Sequence, residues 1–111
     1  MKLPRNDRVV IDVEKVRGYL LNPHHPRGRH KARVFRAALG LDAADAMVLI
    51  DWLRGIAAAI DADRLSSDQF GVRYSIQAVM TTAAGQARVQ SVWIVPPGND
   101  PPRLVTAYVV G

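Results

Sequence analysis

Gly71-Val72-Arg73-Tyr74-Ser75-Ile76-Gln77-Ala78-Val79-Met80 is the stretch on which the fold turns. Val72, Tyr74, Ile76, Ala78 and Met80 alternate with Arg73, Ser75 and Gln77. That is the period of a strand with one buried and one open face, whereas the periodic segments before it repeat every three to four residues. The apolar set is assigned to the core, and Arg73, Ser75 and Gln77 to the open face. Downstream, Ala83-Ala84-Gly85 is a hairpin-length break, and residues 86–95 predict a second strand ending in Val92-Trp93-Ile94-Val95. Pro96 to Pro102 (PPGNDPP) is a loop, and residues 103–110 form the last strand. There Thr106 and Tyr108 share one parity, taken as the open face, while Val105, Ala107 and Val109 take the core face. Arg103 has the wrong parity to join Thr106 unless it lies at the loop edge or a bulge re-aims it.

Working back from that strand, the pattern is helical. Residues 8–11 could form a short strand. Asp12 is an N-cap for a helix carrying Val13, Val16 and Leu20, with Tyr19 beside them, and Asn22-Pro23 ends it. A second helix spans Arg29 to Leu39 with Ala32, Phe35 and Leu39 as its stripe and Gly40 as its stop. Asp42 caps a third, with Asp45 in its first turn. Leu49, Trp52, Ile56 and Ala59 are its expected buried face, widened by Met47, Ile50, Leu53 and Ile60. Residues 61–69 read as a polar connection, and residues 1–7 as a flexible lead. The fold class is therefore α+β: N-terminal helices packed on one face of a three- to four-stranded antiparallel sheet, in a single domain over residues 1–111.

Composition removes whole classes of function. An apolar fraction of 49% argues against global disorder, and the lack of cysteine removes disulfides, thiolate zinc sites and a cysteine nucleophile. No apolar run approaches the roughly 20 residues of a membrane span. The polar lead has no signal-peptide core, so a cytoplasmic location is expected. The carboxylates form neither a two-metal pair nor a glycosidase pair. Neither a Gly-rich phosphate loop nor a G-x-S-x-G elbow is present. The net charge of +5 suits a polyanion.

The chemistry concentrates in Asn22-Pro23-His24-His25-Pro26-Arg27-Gly28-Arg29-His30-Lys31-Ala32-Arg33, which holds all three histidines of the chain. It begins as a loop and ends as a helix start, where imidazoles, cations and free backbone N–H groups suit a phosphate. His25 is the candidate acid or base, because an imidazole titrates near neutrality, at about pH 6.5 unperturbed. Lys31, in the first turn of the second helix, could reach back over the loop. A metal is not expected, since Arg27, Arg29 and Lys31 would repel a dication from His24, His25 and His30. No cofactor is expected either. A plain solvated loop and a plain solvated sheet face remain the alternative readings of these residues.

Four motifs carry a family resemblance: Tyr19-Leu20-Leu21-Asn22-Pro23 with His25-Pro26, Gly28 and Lys31-Ala32; Gly71-Val72-Arg73-Tyr74; Ser91-Val92-Trp93-Ile94; and Pro102-Arg103-Leu104-Val105-Thr106-Ala107-Tyr108. Together they resemble the bacterial domain family DUF6883. That family is in turn similar to the barnase–EndoU–colicin–RelE group of metal-independent ribonuclease toxins. The resemblance implies a toxin-type endoribonuclease in which the 2′-hydroxyl of RNA attacks the adjacent phosphate to give a 2′,3′-cyclic phosphate. It also implies an antitoxin or immunity protein that occludes the site. On this reading His25 exchanges protons, while Lys31, Arg73 and Arg103 stabilise charge. Thr106 and Tyr108 position the phosphate or substrate. His24, Arg27, Arg29, His30, Arg33, Ser75 and Gln77 contact the RNA. The alternative is a non-catalytic basic module that binds RNA or an acidic protein. The sequence leaves the oligomeric state open.

Overall fold

Asp12 and Asp42 start the helices at the two places where an N-cap is expected. In the computed structural model, which describes residues 1–110, Asp12 accepts a hydrogen bond from the Glu14 N–H (2.9 Å) at the head of α1 (Val13–Lys15). α1 passes directly into a π-helical turn (Val16–Leu20). α2 (Arg29–Leu39) ends on Gly40, whose φ of 68° is the left-handed conformation that glycine adopts without steric cost. Asp42 and Asp45 form a reciprocal capping box around a short 3₁₀ turn (Ala43–Asp45) that leads into α3 (Ala46–Ala59).

Four strands follow: β1 (Asp63–Asp68), β2 (Gly71–Thr82), β3 (Gly85–Val95) and β4 (Arg103–Val110). They pair antiparallel in the order β1-β2-β3-β4, so each strand lies beside its sequence neighbour. The fold is thus α+β, helices first and a four-stranded antiparallel sheet after. β1 replaces part of the polar connection expected over residues 61–69. Every one of its residues is exposed, so it has no apolar alternation to betray it; only its ladder with β2 makes it a strand.

The core lies between the helices and one face of the sheet. Leu20, Leu21, Phe35, Leu39, Leu49 and Leu53 pack over Ile76, Met80, Val89, Trp93, Leu104 and Ala107. Each fully buried Leu, Ile, Val, Phe or Met side chain among them contributes about 1.5–3 kcal/mol. The buried stripe of α3 is Ala46, Leu49, Ile50, Leu53, Ile56 and Ala57. Trp52 is half-buried, and Met47, Ala59 and Ile60 are exposed. The expected stripe was therefore rotated by part of a turn, a small error on a helix that is apolar nearly all round. The indole N–H of Trp93 donates to Ser91 Oγ (2.9 Å), which donates to the Ile76 carbonyl (3.2 Å), so both polar groups of this deep pair are satisfied.

The lead is docked where a flexible segment was expected. Leu3 is buried, the Met1 carbonyl accepts from the Ala62 N–H (2.8 Å), and Asn6 Nδ2 donates to the Leu3 carbonyl (2.9 Å). Past it, Val10 makes a parallel bridge to Arg103, donating to the Pro102 carbonyl (2.8 Å) and accepting from the Leu104 N–H (3.0 Å). The short N-terminal strand expected near residues 8–11 is this bridge, and it covers the start of the β4 edge.

Candidate functional site

The register of β4 slips by one residue. Trp93 opposes Leu104 and Val92 opposes Thr106, so Val105 is the extra residue of a bulge. Two consequences follow. Leu104 and Ala107 both reach the core, although strict alternation would separate them. Arg103 now falls in the cross-strand row of Arg73 and Ile94, and Thr106 in the row of Ser75 and Val92. Arg103 and Thr106 thus share one face of the sheet, as only a bulge allows. The bulged carbonyls of Leu104 and Val105 accept from Lys15 Nζ at 3.3 and 3.1 Å.

The loop ahead of α2 is stitched to the π-helical turn. Asn22 Oδ1 accepts from the His24 N–H (2.9 Å), and its Nδ2 donates to the Gly18 carbonyl (3.2 Å). The loop then presses Gly28 against Tyr19 so closely that a Cβ at position 28 would collide with the Tyr19 carbonyl. This approach holds His25. Its Nδ1 accepts from the N–H groups of Arg27 (3.0 Å) and Gly28 (3.1 Å), which selects the neutral tautomer with the proton on Nε2. Its ring meets that of Tyr19 edge-on, with centroids 4.8 Å apart at 80°.

Lys31 completes the arrangement. Its Nζ donates to Thr106 Oγ1 (3.2 Å) and lies 5.5 Å from the ring centroids of both Tyr19 and Tyr108. His25, Tyr19, Lys31, Lys15, Val105 and Thr106 line an open cleft of about 670 Å³, with Asp12 and Glu14 on its rim. Asp12 is engaged as a helix cap and Glu14 pairs with Arg17 (3.2 Å). The two lysines have no carboxylate partner among the described ion pairs. The cleft therefore offers two ammonium groups, a hydroxyl and one imidazole, a set suited to a phosphate.

Of the residues singled out from the sequence, His25, Lys31 and Thr106 share this cleft. Tyr108 and His30 lie next door, lining a smaller slot with Lys31. Arg103 lines an adjacent hollow with Val10, Asp12, Lys15 and Val105. His24 and Arg33 line a separate shallow basin with Arg36 on the outer side of α2. Arg27 contributes its backbone N–H rather than its charge, and Arg29 donates its N–H to the His25 carbonyl (3.0 Å). Arg73 is not brought to the cleft. It pairs with Asp68 (2.7 Å) at the β1 side of the sheet, and together with the Phe70 N–H, the larger influence, it holds the Asp68 carboxyl below its usual range. Ser75 is buried, and Gln77 donates to Gln90 (2.9 Å), the residue opposite Tyr108. Lys15 and Tyr19 are cleft residues that the sequence reading did not assign. Tyr19 could have been noticed, because it heads the motif containing His25; Lys15 carries no signal before the bulge is seen.

Comparison with known proteins agrees with this architecture. The model of the family described as "Domain of unknown function (DUF6883)" matches residues 2–111. One chain of a contact-dependent growth inhibition toxin–immunity protein complex from Klebsiella pneumoniae 342 superposes with a TM-score of 0.70 at 16% identity. The match covers 91% of this chain and 99% of that one. At that identity the likeness is one of fold. No curated protein matches the sequence. The chain belongs to the DUF6883 family.

Proposed function

Starting from a DUF6883 domain with a toxin-complex fold neighbour, we propose that it is a metal-independent endoribonuclease of toxin type, held in check by an immunity-type partner. The observation that carries the reading is the convergence of His25, Lys31 and Thr106 on one cleft between the loop and the β4 edge. A phosphate there is held by Lys31 Nζ and Thr106 Oγ1, with Lys15 adding positive charge. The 2′-oxygen forms a bond to phosphorus and the bond to the 5′-oxygen breaks. The attacking hydroxyl loses a proton and the departing oxygen gains one. His25 is the cleft group whose side chain can both take and give a proton. With Nδ1 accepting two backbone N–H bonds, Nε2 keeps its proton. To act as a base the ring must move its proton to Nδ1; to act as an acid it must gain one there. Either step releases Arg27 and Gly28, so catalysis includes a local opening of the loop.

The same tautomer supports a second reading. A ring fixed with its proton on Nε2 is a ready donor to a phosphate oxygen, as a basic RNA-binding module needs. Incubating the purified chain with a defined RNA in excess chelator separates the two. The expected result is a 2′,3′-cyclic phosphate end, no cleavage when the target ribose is 2′-deoxy, and a loss of about 10²–10⁴-fold in His25→Ala. RNA that binds but is never cut replaces the enzyme with the binding module.

A further inference from the structure

The slot beside the cleft has a different character from the cleft itself. It is an open hollow of about 250 Å³ between α2 and the end of β4, lined by His30, Lys31, Val34, Tyr108 and Val109. Val34 is 43% exposed on a helix whose other exposed positions are Arg29, His30, Arg33, Arg36 and Ala37. An apolar side chain left in water among cations is a candidate floor for something flat and apolar. Lys31 belongs to both cavities: its Nζ bonds Thr106 on the cleft side and sits 5.5 Å from the Tyr108 ring on the slot side. A ligand anchored by its phosphate at Lys31 therefore has Tyr108 and two valines beside it.

We propose that this slot is a nucleobase subsite, taking the base of the nucleotide that adjoins the phosphate held by Lys31 and Thr106. The proposal rests on the ribonuclease reading for the phosphate position and adds the base contact to it. Aromatic side chains stack on the π-face of any base, and the slot sets the Tyr108 ring beside the position where cations fix the phosphate. Tyr108 then acts through its ring face rather than its hydroxyl.

The test uses an uncleavable probe: a fluorescein-labelled 2′-O-methyl tetranucleotide, compared with versions abasic at each position in turn, by anisotropy. One abasic position should weaken binding by about 5- to 150-fold, the range of one stacked base. Tyr108→Ala and Val34→Glu should remove that difference, and Tyr108→Phe should keep it. Val34 is exposed, so its replacement leaves the core untouched. Equal binding of all the abasic probes and the parent overturns the subsite, as does a Tyr108→Phe loss as large as that of Tyr108→Ala. Because the probe cannot be cut, the outcomes stay separate. A chain that cleaves RNA without a base effect keeps the enzyme and loses the slot; one that shows the base effect and never cleaves keeps the slot and loses the enzyme.

Discussion

The two edges of the sheet are built on the same device and used in opposite ways. Each carries one extra residue, Leu65 in β1 and Val105 in β4. At β4 the edge is occupied: Val10 bridges its start, Lys15 takes the bulged carbonyls, and Lys31 bonds Thr106. At β1 every residue is exposed, and the strand presents Asp63, Arg64 and Asp68. A bulge at the covered edge re-aims side chains, bringing Arg103 to the face of Thr106. A bulge at the bare edge, among charges, blunts pairing with another chain. The candidate site lies at the edge that the N-terminal elements cover, where the loop after the π-helical turn, α2 and β4 meet.

The sharpest way to break this contrast is Gly28→Ala. The new Cβ meets the Tyr19 carbonyl, so the loop must move away and the N–H groups of Arg27 and Gly28 leave His25 Nδ1. RNA cleavage is expected to fall on the order of 10²-fold, as for other small misplacements of reacting groups. The sheet should survive, with a stability loss of about 1–3 kcal/mol. Far-UV circular dichroism beside the cleavage rate checks both halves. Unchanged cleavage would separate the loop from the site.

Lys15→Met tests the cover itself. It keeps most of the side-chain stem and strips the donor from two bulged carbonyls, for a cost of about 1–3 kcal/mol in denaturant unfolding. No residue of β1 should match that cost, since its outer backbone already faces water.

The smallest effect belongs to the bare edge. The Asp68 carboxyl is held below the usual range by the Phe70 N–H and by Arg73, so it favours the folded state above the unfolded value of about 3.9. That contribution disappears as pH falls through the lowered folded value. Asp68→Asn should therefore lower the unfolding midpoint slightly at pH 7, with the gap to the parent closing in acid. A gap that widens in acid would contradict the pairing.

The same contrast explains what could be read from the chain alone. α2 and the start of α3 announce themselves through local signals: Gly40, the Asp42 cap and a three-to-four-residue stripe. β2 does so through alternation. β1 does not, because its one apolar residue, Leu65, is exposed like the rest of residues 63–68, and the segment becomes a strand only by pairing. The β4 bulge is equally silent, since one extra residue leaves no mark in composition, yet it decides where Arg103 points. His25, Lys31 and Thr106 could be named as candidates from residue type and parity. Their meeting depends on Gly28 fitting against Tyr19 and on Lys15 reaching β4, contacts between distant segments that no local pattern encodes.

The strand order carries a kinetic consequence. β1-β2, β2-β3 and β3-β4 are each hairpin-like pairings of neighbours, a kind of step that takes about 1–10 μs in isolated hairpins. The parallel bridge of Val10 to Arg103 and the reach of Lys15 to Val105 join segments from opposite ends of the chain. Their ordering entropy is met last, after the sheet exists to receive them. The separation of these contacts along the chain therefore predicts that refolding gains the sheet before the cleft.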